Sequence, residues 1–561
     1  MLPEAPRPPA GTLVATLAAS LLLVLAVSLP PETMHPWSRA ACQMVAAAAV
    51  LLAWRRVRPE GLLCWAGLVP FAVAAVLGAA CRSRAVDESA DAVLLILAGM
   101  LGRGVAARPG ARRAVTTVLV AVATGAALQA VLQRHLTYPS RAAEIRAAPE
   151  GDVHGVLYVL ESGRPSGPFT LPAALGGFLA LALPLSLAEA ARRGRWSAGR
   201  AGALAAVMVQ IYALGLSRSI GAVVALTAGL LLAGTWRRPR GRLLAGAAII
   251  LLAALACGYF LRARRLEIAA ARGTDPLTLR LGNWSAAAGM IRDHPLFGGG
   301  PGSFGTLYPR YMRPGMNETR YAHESYLQAA AGWGLWILVP IGALVLAFAR
   351  GARRAASADG TDRAVAAGGC AFLVHNLGDF TAYLPGVAIP GSILVGMALG
   401  GAGLPEAPRR EARRRARACA ALVLLPLAIL YGWTATARAL CRTRLEAAVE
   451  AAEENDLRQA ATLARAAEEV RPADPDPHAF VAQMILAHFR DDGRRMAEGE
   501  TEAATALAAD PEAAILHYTR SLYHLAAGEP APAYRERYAA HLLYPLKPLY
   551  ADPPPAGEAD R

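Results

Sequence analysis

The feature that most constrains this fold is a succession of long apolar runs separated by short basic loops. The 561-residue chain is 55% hydrophobic and only 18% charged, and its mean hydropathy is +0.33. A bilayer-spanning helix needs about 20 mostly apolar residues. The sequence therefore predicts an all-α fold with a polytopic transmembrane bundle of about 12–13 spans. These lie near residues 11–30, 39–54, 61–80, 91–107, 114–132, 170–190, 199–216, 219–235, 242–261, 328–349, 364–378, 385–404 and 416–437.

The basic residues predict how the spans are oriented. They are nearly all arginines, with Lys547 as the only lysine, and they give a formal charge of +15. Arginine clusters occur in every second loop, at 55–58, 103–113, 192–200, 237–242, 350–354 and 409–417. This alternation follows the positive-inside rule and does not resemble a nucleic-acid-binding face. The sequence thus predicts a multi-pass protein of the cytoplasmic (inner) membrane, with a cytoplasmic N-terminus and outer stretches at 133–169, 262–327 and beyond about 438.

The N-terminal run and the cysteines exclude other readings. No clear cleavage site follows the first apolar run, so we interpret that run as an uncleaved span. Six of the seven cysteines lie in or beside apolar segments, and no C-x-x-C pair is present. A zinc site or a disulfide framework is therefore not expected. We also find no pattern for a metal site on the outer face, and we predict no cofactor.

A different pattern begins after the last span. From Arg442 onward the sequence is alanine-rich with a helical period, and turn prolines recur at Pro475, Pro511 and Pro545, 36 and then 34 residues apart. This period resembles tetratricopeptide repeats. We predict a membrane domain over 1–437 and a small soluble helical repeat domain over 438–561 that binds a protein partner. An irregular helical bundle is the alternative.

One polar interval inside the membrane domain is unusually long. Residues 280–334 read RLGNWSAAAGMIRDHPLFGGGPGSFGTLYPRYMRPGMNETRYAHESYLQAAAGWG. A long loop of this kind in a membrane protein is usually functional, so we interpret it as the active-site loop. Its glycine run lacks the flanking strand and the G-K-[ST] ending of a P-loop. We expect a tight turn that brings two loop helices together.

This loop resembles the core of the O-antigen ligase and polymerase superfamily, which contains multi-spanning glycosyltransferases that use polyprenyl-diphosphate-linked glycans. The resemblance covers about 200–404, and three shorter motifs add to it: SRSIGA at 217–222, SGRPSGPF at 162–169 and HNLGDF at 375–380. Glu324 stands where the family often has asparagine. The loop positions that match are Arg280, Trp284, Pro295, Phe297, Gly298, Gly300, Gly302, Phe304, His323, Tyr326, Leu327, Gln328 and Gly334.

The resemblance implies roles for particular residues. Arg218 and Arg280 would neutralise the leaving diphosphate, because the planar guanidinium fork matches phosphate oxygens. His323 would be the base for the acceptor hydroxyl, since the pKa of histidine suits proton transfer near neutral pH. The remaining candidates would contact substrate, with Asp379 orienting His375 or the two capping a helix end. These candidates are Arg164, Trp284, Tyr326, His375 and Asp379.

The predicted function is transfer of a glycan from a polyprenyl-diphosphate carrier to an acceptor on the outer membrane face, without a metal. The acceptor is a lipid A core, another glycan repeat unit or a protein, the last as in protein O-oligosaccharyltransferases. A non-enzymatic transporter of the same lipid is the alternative from another class. Transporters place ionisable residues and broken helices near the bilayer midplane, whereas the candidates here are predicted at one face. A scaffold that merely anchors the repeats would leave residues 280–334 unexplained.

Overall fold

The computed structural model describes residues 10–28, 36–53, 69–106, 108–147, 154–193, 197–235, 276–355, 360–400 and 410–550. Over these ranges the chain is helical and contains no β-strand, which confirms the predicted all-α class. The helices are α1 Ala10–Ser28, α2 Pro36–Ala53, α3 Val69–Leu77, α4 Arg82–Ala106, α5 Pro109–Leu132, α6 Tyr138–Ala147, α7 His154–Ser162, α8 Pro172–Arg192, α9 Ala198–Ser217, α10 Ile220–Thr235, α11 Pro276–Asp293, α12 Phe304–Tyr311, α13 Ser325–Trp333, α14 Leu338–Ala355, α15 Gly360–His375, α16 Pro385–Gly400, α17 Arg410–Glu453, α18 Leu457–Val470, α19 Pro475–His488, α20 Gly493–Ala509, α21 Ala514–Ala526 and α22 Pro530–Leu543.

Seven stretches of the described chain are long and apolar enough to cross a membrane. They are α1, α2, α4, α5 with its continuation to Ala147, α8, α9 and Leu335–Ala355, and two shorter apolar helices lie at Ile220–Leu232 and Pro385–Gly400. The predicted span at 242–261 and the first part of the one at 61–80, residues 61–68, lie outside the described residues. The predicted span at 328–349 is divided, because α13 ends at Trp333 and Gly334 has a φ of 90°.

The chain forms two compact units, and neither is continuous in sequence. Unit 1 contains residues 1–62, 91–267 and 342–435; unit 2 contains 63–90, 268–341 and 436–561. Unit 2 therefore joins the whole predicted active-site loop, 280–334, to the C-terminal helices. The division into domains 1–437 and 438–561 stays a prediction.

The core of unit 1 surrounds α8. This helix contacts α5, α9, α10, α15 and α16, and its side chains from Ala174 to Ser186 are buried. Small residues allow the close approach that helix packing in a membrane requires. A Cβ on Gly368 would collide with the Leu181 carbonyl of α8, and one on Gly229 would collide with the Ala367 carbonyl. Helices α8, α10 and α15 thus meet backbone to backbone.

The loop helices of unit 2 have their own core. Met290 of α11 packs with Phe304, Leu307 and Tyr308 of α12 and with Ala322, all at most 5% exposed. The buried Tyr308 hydroxyl donates to Asn283 Oδ1 at 2.8 Å. Because burying an unpaired hydroxyl is costly, this bond fixes how α12 lies on α11. The predicted active-site loop is therefore a packed element with its own hydrophobic centre.

The C-terminal helices of unit 2 contain a repeated polar bracket. His478 of α19 contacts Glu502 of α20 through Nδ1 at 2.6 Å and the Pro472 carbonyl through Nε2 at 3.1 Å. His517 of α21 repeats the arrangement with Glu536 of α22 at 2.6 Å and the Pro511 carbonyl at 3.0 Å. In both brackets the proline lies six residues before the histidine. Two helix pairs thus share one internal design, while their assignment as tetratricopeptide repeats stays a prediction.

Candidate active site

The predicted site residues fall into two groups. Arg164, Arg218, His375 and Asp379 belong to unit 1, and Arg280, Trp284, His323 and Tyr326 belong to unit 2.

Arg218 occupies the sharp turn between α9 and α10. Its φ of 50° and ψ of 31° are left-handed, and its backbone N–H bonds to the Gly215 carbonyl at 3.1 Å. For an L-residue with a Cβ, this conformation costs roughly 1–2 kcal/mol. The side chain is exposed and forms no hydrogen bond or ion pair with any other residue the structure describes. A strained turn therefore presents an available guanidinium.

Arg164 stabilises the same turn through hydrogen bonds to its backbone. Its Nε and Nη2 donate to the carbonyl of Ser217 at 3.2 and 3.0 Å, and Ser217 is the last residue of α9. That carbonyl is among the last of a helix, which have no partner within the helix. Arg164 is half-buried, and it fixes the residue that immediately precedes Arg218.

The segment carrying Arg164 is itself fixed. Gln133 donates to the Gly167 carbonyl and accepts from the Gly167 N–H, both at 2.8 Å. Gln133 begins a π-helical turn, Gln133–Thr137, and such turns often occur at functional sites. Two residues after Gly167, Phe169 is buried against Phe178 of α8, with ring centroids 5.3 Å apart. The R-x-x-G-x-F motif thus forms a rigid support for the Arg218 turn.

His375 is the last residue of α15 and is 2% exposed. Its Nδ1 lies 3.1 Å from Thr381 Oγ1, and a Cβ on Gly177 of α8 would approach its Cε1 to 2.8 Å. Asp379 is 4% exposed, and its Oδ1 accepts from the Phe380 N–H at 2.8 Å. Because α15 ends at His375, Asp379 lies in the following turn rather than one turn along the same helix. The substrate-binding role of both residues stays a prediction.

Arg280 and Trp284 lie one turn apart on α11, as the sequence predicts. Both are half-buried. The indole Nε1 of Trp284 is buried and has no hydrogen-bond partner among the residues that the structure describes. Buried indole N–H groups usually find a partner, so this donor is available to a ligand.

His323 lies in a second left-handed position. Its φ is 58°, and it is half-buried immediately before α13. Glu324 is the N-cap of α13, and its carboxylate accepts the N–H groups of Tyr326 and Leu327. Burial raises the pKa of Glu324, while those two N–H groups oppose the rise. Glutamate therefore provides the cap at the position where the family often has asparagine, and Tyr326 lies in the first turn of the capped helix.

Gln328, which has no predicted role, fixes the backbone on the other side of His323. Gln328 Oε1 accepts from the backbone N–H of Ala322 at 2.7 Å, and both residues are buried. Glu324 and Gln328 together bind the backbone on both sides of His323. The available signal was the spacing of Glu324 and Gln328 around the start of a helix, which is typical of capping interactions.

The glycine run forms the predicted turn between α11 and α12. Its backbone N–H groups at Gly299 and Gly300 donate to the carbonyls of Ala331 and Gly332 at 2.9 and 3.0 Å. Gly298 has a φ of 68°, and a Cβ there would collide with the Gly332 carbonyl. The turn is thus bonded to the end of α13, whose other end carries His323.

Left-handed backbone occurs at two of the three predicted catalytic residues, Arg218 and His323. Among the non-glycine residues within the described ranges, positive φ values occur at Arg218, His323 and Asn455. Asparagine tolerates this conformation, but arginine and histidine less often adopt it. Strained residues of this kind persist where the surrounding structure enforces them, and they cluster at active sites.

Comparison with known families identifies this region. A family model described as O-antigen ligase matches residues 203–355. Over this segment the chain is similar to the O-antigen ligase superfamily. The matched O-antigen ligase segment contains Arg218, Arg280, Trp284, His323 and Tyr326, and it does not reach Arg164, His375 or Asp379. No curated protein and no solved structure matches the chain.

This match confirms the resemblance recognised from the loop motifs. At the level of the family it supports glycan transfer by a membrane protein, which agrees with the seven candidate spans.

Proposed function

We propose that this protein is a glycosyltransferase that moves a glycan from a polyprenyl-diphosphate carrier to an acceptor on the outer face of the cytoplasmic membrane. The observation that carries the proposal is the left-handed backbone at Arg218 and His323. These are the residues to which the chemistry assigns phosphate neutralisation and proton transfer. Residues with a strained backbone cluster at active sites, where the strained conformation is part of the mechanism.

In the proposed reaction, Arg218 and Arg280 hold the diphosphate of the donor. The acceptor oxygen attacks the anomeric carbon, His323 takes the acceptor's proton, and the bond from that carbon to the phosphate oxygen breaks. Polyprenyl diphosphate leaves with the electron pair, and the arginines neutralise its developing charge. A single displacement inverts the anomeric centre. Arginine supplies here the positive charge that a metal ion supplies in other transferases, so we propose metal-independent transfer.

The other candidates have supporting roles in the proposal. Arg164 positions the Arg218 turn through the Ser217 carbonyl. Trp284 offers its indole N–H to a sugar hydroxyl, and Tyr326 lies beside the base on α13. His375 and Asp379 remain candidates for the acceptor side.

An exposed apolar surface in unit 2 fits a protein that processes a lipid-linked substrate. Phe71 of α3 packs on Phe297 and Trp336, with ring centroids 6.3 and 5.8 Å apart, and the neighbouring Leu296 is 71% exposed. Aromatic side chains favour the membrane–water interface. We assign this surface to the outer interface, beside the glycine turn.

The proposed sidedness has support from the contacts inside unit 2. The described residues of the stretches 69–90, 276–341 and 436–550 pack together, which supports placing their polar parts on one side of a membrane. The arginine pattern predicts the outer side for the second and third of these stretches. Lipid-linked glycans are available there in the proposed reaction.

The test uses full-length protein in detergent with a polyprenyl-diphosphate glycan and three acceptors: lipid A core, glycan repeat and protein. Released polyprenyl diphosphate is measured with and without a chelator. We expect release that the chelator does not alter, and the acceptor that supports it identifies the reaction. Donor binding without release, for every acceptor, would instead indicate a transporter.

Matched glycine variants separate function from folding. Arg218→Gly and His323→Gly relieve left-handed strain, so each raises the free energy of unfolding by about 1 kcal/mol while abolishing transfer. Asn455→Gly is the control, because it changes the third left-handed residue, in the repeats, and leaves transfer intact. Normal transfer by a stable His323→Gly variant would show that His323 is not the base.

A further inference from the structure

We propose that the C-terminal repeat helices act as an intramolecular clamp on the loop that carries His323, with Arg84 as the positioning residue that joins them. All of the residues involved belong to unit 2. The inference rests on the proposed function only for the importance of His323. It assigns the repeats a ligand within the same chain, where the sequence suggested a separate protein partner.

Arg84, in the first turn of α4, binds three side chains from two distant parts of the sequence. Its Nη1 donates to Thr306 Oγ1 at 2.6 Å and to Asp510 Oδ2 at 2.5 Å, and its Nη2 donates to Asp476 Oδ1 at 3.1 Å. Thr306 lies on the loop helix α12, whereas Asp476 and Asp510 lie at the turns of the repeats. A planar guanidinium with several fixed donors suits a three-way junction of this kind.

Burial makes this junction energetically important. The Asp510 side chain is fully buried, and the Arg84 side chain is 33% exposed. Without Arg84, Asp510 would be a buried carboxylate with no opposite charge beside it, which is strongly destabilising. Exposed ion pairs contribute little by comparison. Arg84 is therefore required for the repeats to stay closed on this part of the chain.

The Arg84 segment in turn supports the active-site loop. A Cβ on Gly302 would lie 2.7 Å from the Arg84 carbonyl, and one on Gly300 would collide with Ala79. The glycine turn is thus in backbone contact with residues 79–84 while it is hydrogen-bonded to the end of α13. Helix α12, which Arg84 holds through Thr306, packs on Ala322 next to His323.

The repeats also contact the loop directly at two further points. Arg310 of α12 pairs with Glu512 at 3.4 Å. Glu318 accepts from the Tyr544 hydroxyl at 2.8 Å and from Lys547 Nζ at 3.1 Å. These hydrogen bonds lower the pKa of Glu318, that from Tyr544 most. The loop is therefore held before, within and after α12.

Ion pairs surrounding Arg84 extend the junction. Asp87 of α4 accepts from Arg471 at 3.1 Å and pairs with Arg438 Nε at 3.1 Å. Arg471 also pairs with Asp474 at 3.1 Å. The acidic turns of the repeats thus face basic side chains of their own unit. A basic partner protein would have to displace these contacts, which favours the intramolecular role.

The experiment measures backbone hydrogen exchange in the full-length protein in detergent. The reporter peptides cover residues 299–332, which include the Ala322 and Gly300 amides. In Arg84→Gln we expect exchange in these peptides to accelerate about tenfold or more, because a charge-assisted junction is lost. Arg84→Lys keeps the charge but not the planar fork, so it should restore part of the protection. Arg82→Gln removes an exposed arginine two residues away and should leave exchange unchanged.

A milder variant covers the case in which Arg84→Gln does not fold. Thr306→Val removes only the link between Arg84 and α12 and keeps both ion pairs with the repeats. We expect faster exchange in 299–332 and unchanged exchange in α19–α22. The clamp would be overturned if exchange rates in 299–332 stayed within twofold of those of the original protein. This result would have to hold in Thr306→Val and in any Arg84→Gln that folds.

The exchange readout does not depend on transfer, so the two proposals fail separately. Rapid exchange in the Arg84 variants together with normal transfer by His323→Gly would support the clamp and overturn the proposed function. Unchanged exchange together with loss of transfer in His323→Gly would do the reverse.

Discussion

Gln328 and Ala322 are joined across His323 by one buried hydrogen bond. The Gln328 side-chain oxygen accepts the Ala322 backbone N–H at 2.7 Å, and His323, the next residue, has a φ of 58°. A buried N–H without a partner costs about 1–3 kcal/mol, which is comparable to the strain at a left-handed residue. This bond therefore offsets the conformation that the candidate base adopts.

Replacing Gln328 tests that relationship. Gln328→Met has a similar shape but no acceptor, so it should lower the free energy of unfolding by about 1–3 kcal/mol. It should also reduce the turnover number, by up to about a hundredfold if His323 moves by about 1 Å. Thermal unfolding in detergent and transfer kinetics measure the two effects. Gln328→Glu keeps an acceptor oxygen and should retain more activity than Gln328→Met; the opposite order would contradict this account.

Arg164 should act through the position of Arg218. Arg164→Ala leaves the Ser217 carbonyl without its two donors, which we expect to cost about 1.5–3 kcal/mol and to lower transfer. Arg164→Lys keeps one donor, so its stability and transfer rate should lie between those of the original protein and those of Arg164→Ala. Arg141→Ala is the control, because Arg141 is exposed and, among the described residues, its ion pair is with Glu144 three residues away, at 3.4 Å. Full transfer by Arg164→Ala would show that the Arg218 turn is stable without it.

Gly334 should tolerate no side chain. Its φ is 90°, and a Cβ would collide with the Leu296 carbonyl and the Phe297 amide nitrogen at the glycine turn. Gly334→Ala should therefore destabilise the loop by more than about 2 kcal/mol, measured as a fall in the midpoint of thermal unfolding. Gly342→Ala in α14 meets nothing within 4 Å and should leave that midpoint unchanged or slightly raised. Equal midpoints for the two variants would refute the collision.

Helices α19 and α20 should lose stability as the pH rises. The hydrogen bond to Glu502 raises the pKa of His478 above its ordinary value of 6.5, and burial opposes this. The stability that protonated His478 provides is thus fully present below about pH 6.5 and is lost as the pH rises through the folded-state pKa. Each unit of difference contributes about 1.4 kcal/mol. Burial also raises the pKa of the nearby Glu468, which acts in the same direction.

The other charges that face His478 do not reverse this sign. Arg465 lies 3.6 Å from Glu502 and also pairs with Glu498. Unfolding of the full-length protein, followed by exchange in α19–α20 from pH 6 to pH 9, should show the loss. It should be absent in His478→Gln and present in the exposed control His488→Gln. An identical pH profile for His478→Gln and the original protein would exclude His478 as its source.

The fold class could be predicted because its signals are local, whereas the roles of the candidate site residues stay predictions. Apolar runs of about 20 residues indicate spans, and arginine, histidine and glycine in a loop stand out against them. The division of the span at 328–349 was also readable from Gly334. The left-handed conformation of Arg218 and His323 was not, because Arg164, Glu324 and Gln328 enforce it through contacts that no periodicity reveals. The pairing of Arg84 with Asp510, 426 residues later, is equally invisible to a pattern search.

The contact between the glycine turn and residues 79–84 determines how this protein can be recombined with its relatives. The matched family segment, 203–355, contains the glycine turn but lacks Ala79 and Arg84. A chimera that exchanges only that segment would place a foreign glycine turn against the native backbone at residues 79–84. The two backbones would then have to fit each other directly, because no side chain lies between them. Donor segments for a working hybrid therefore have three parts: residues 69–90, 276–341 and 436–550.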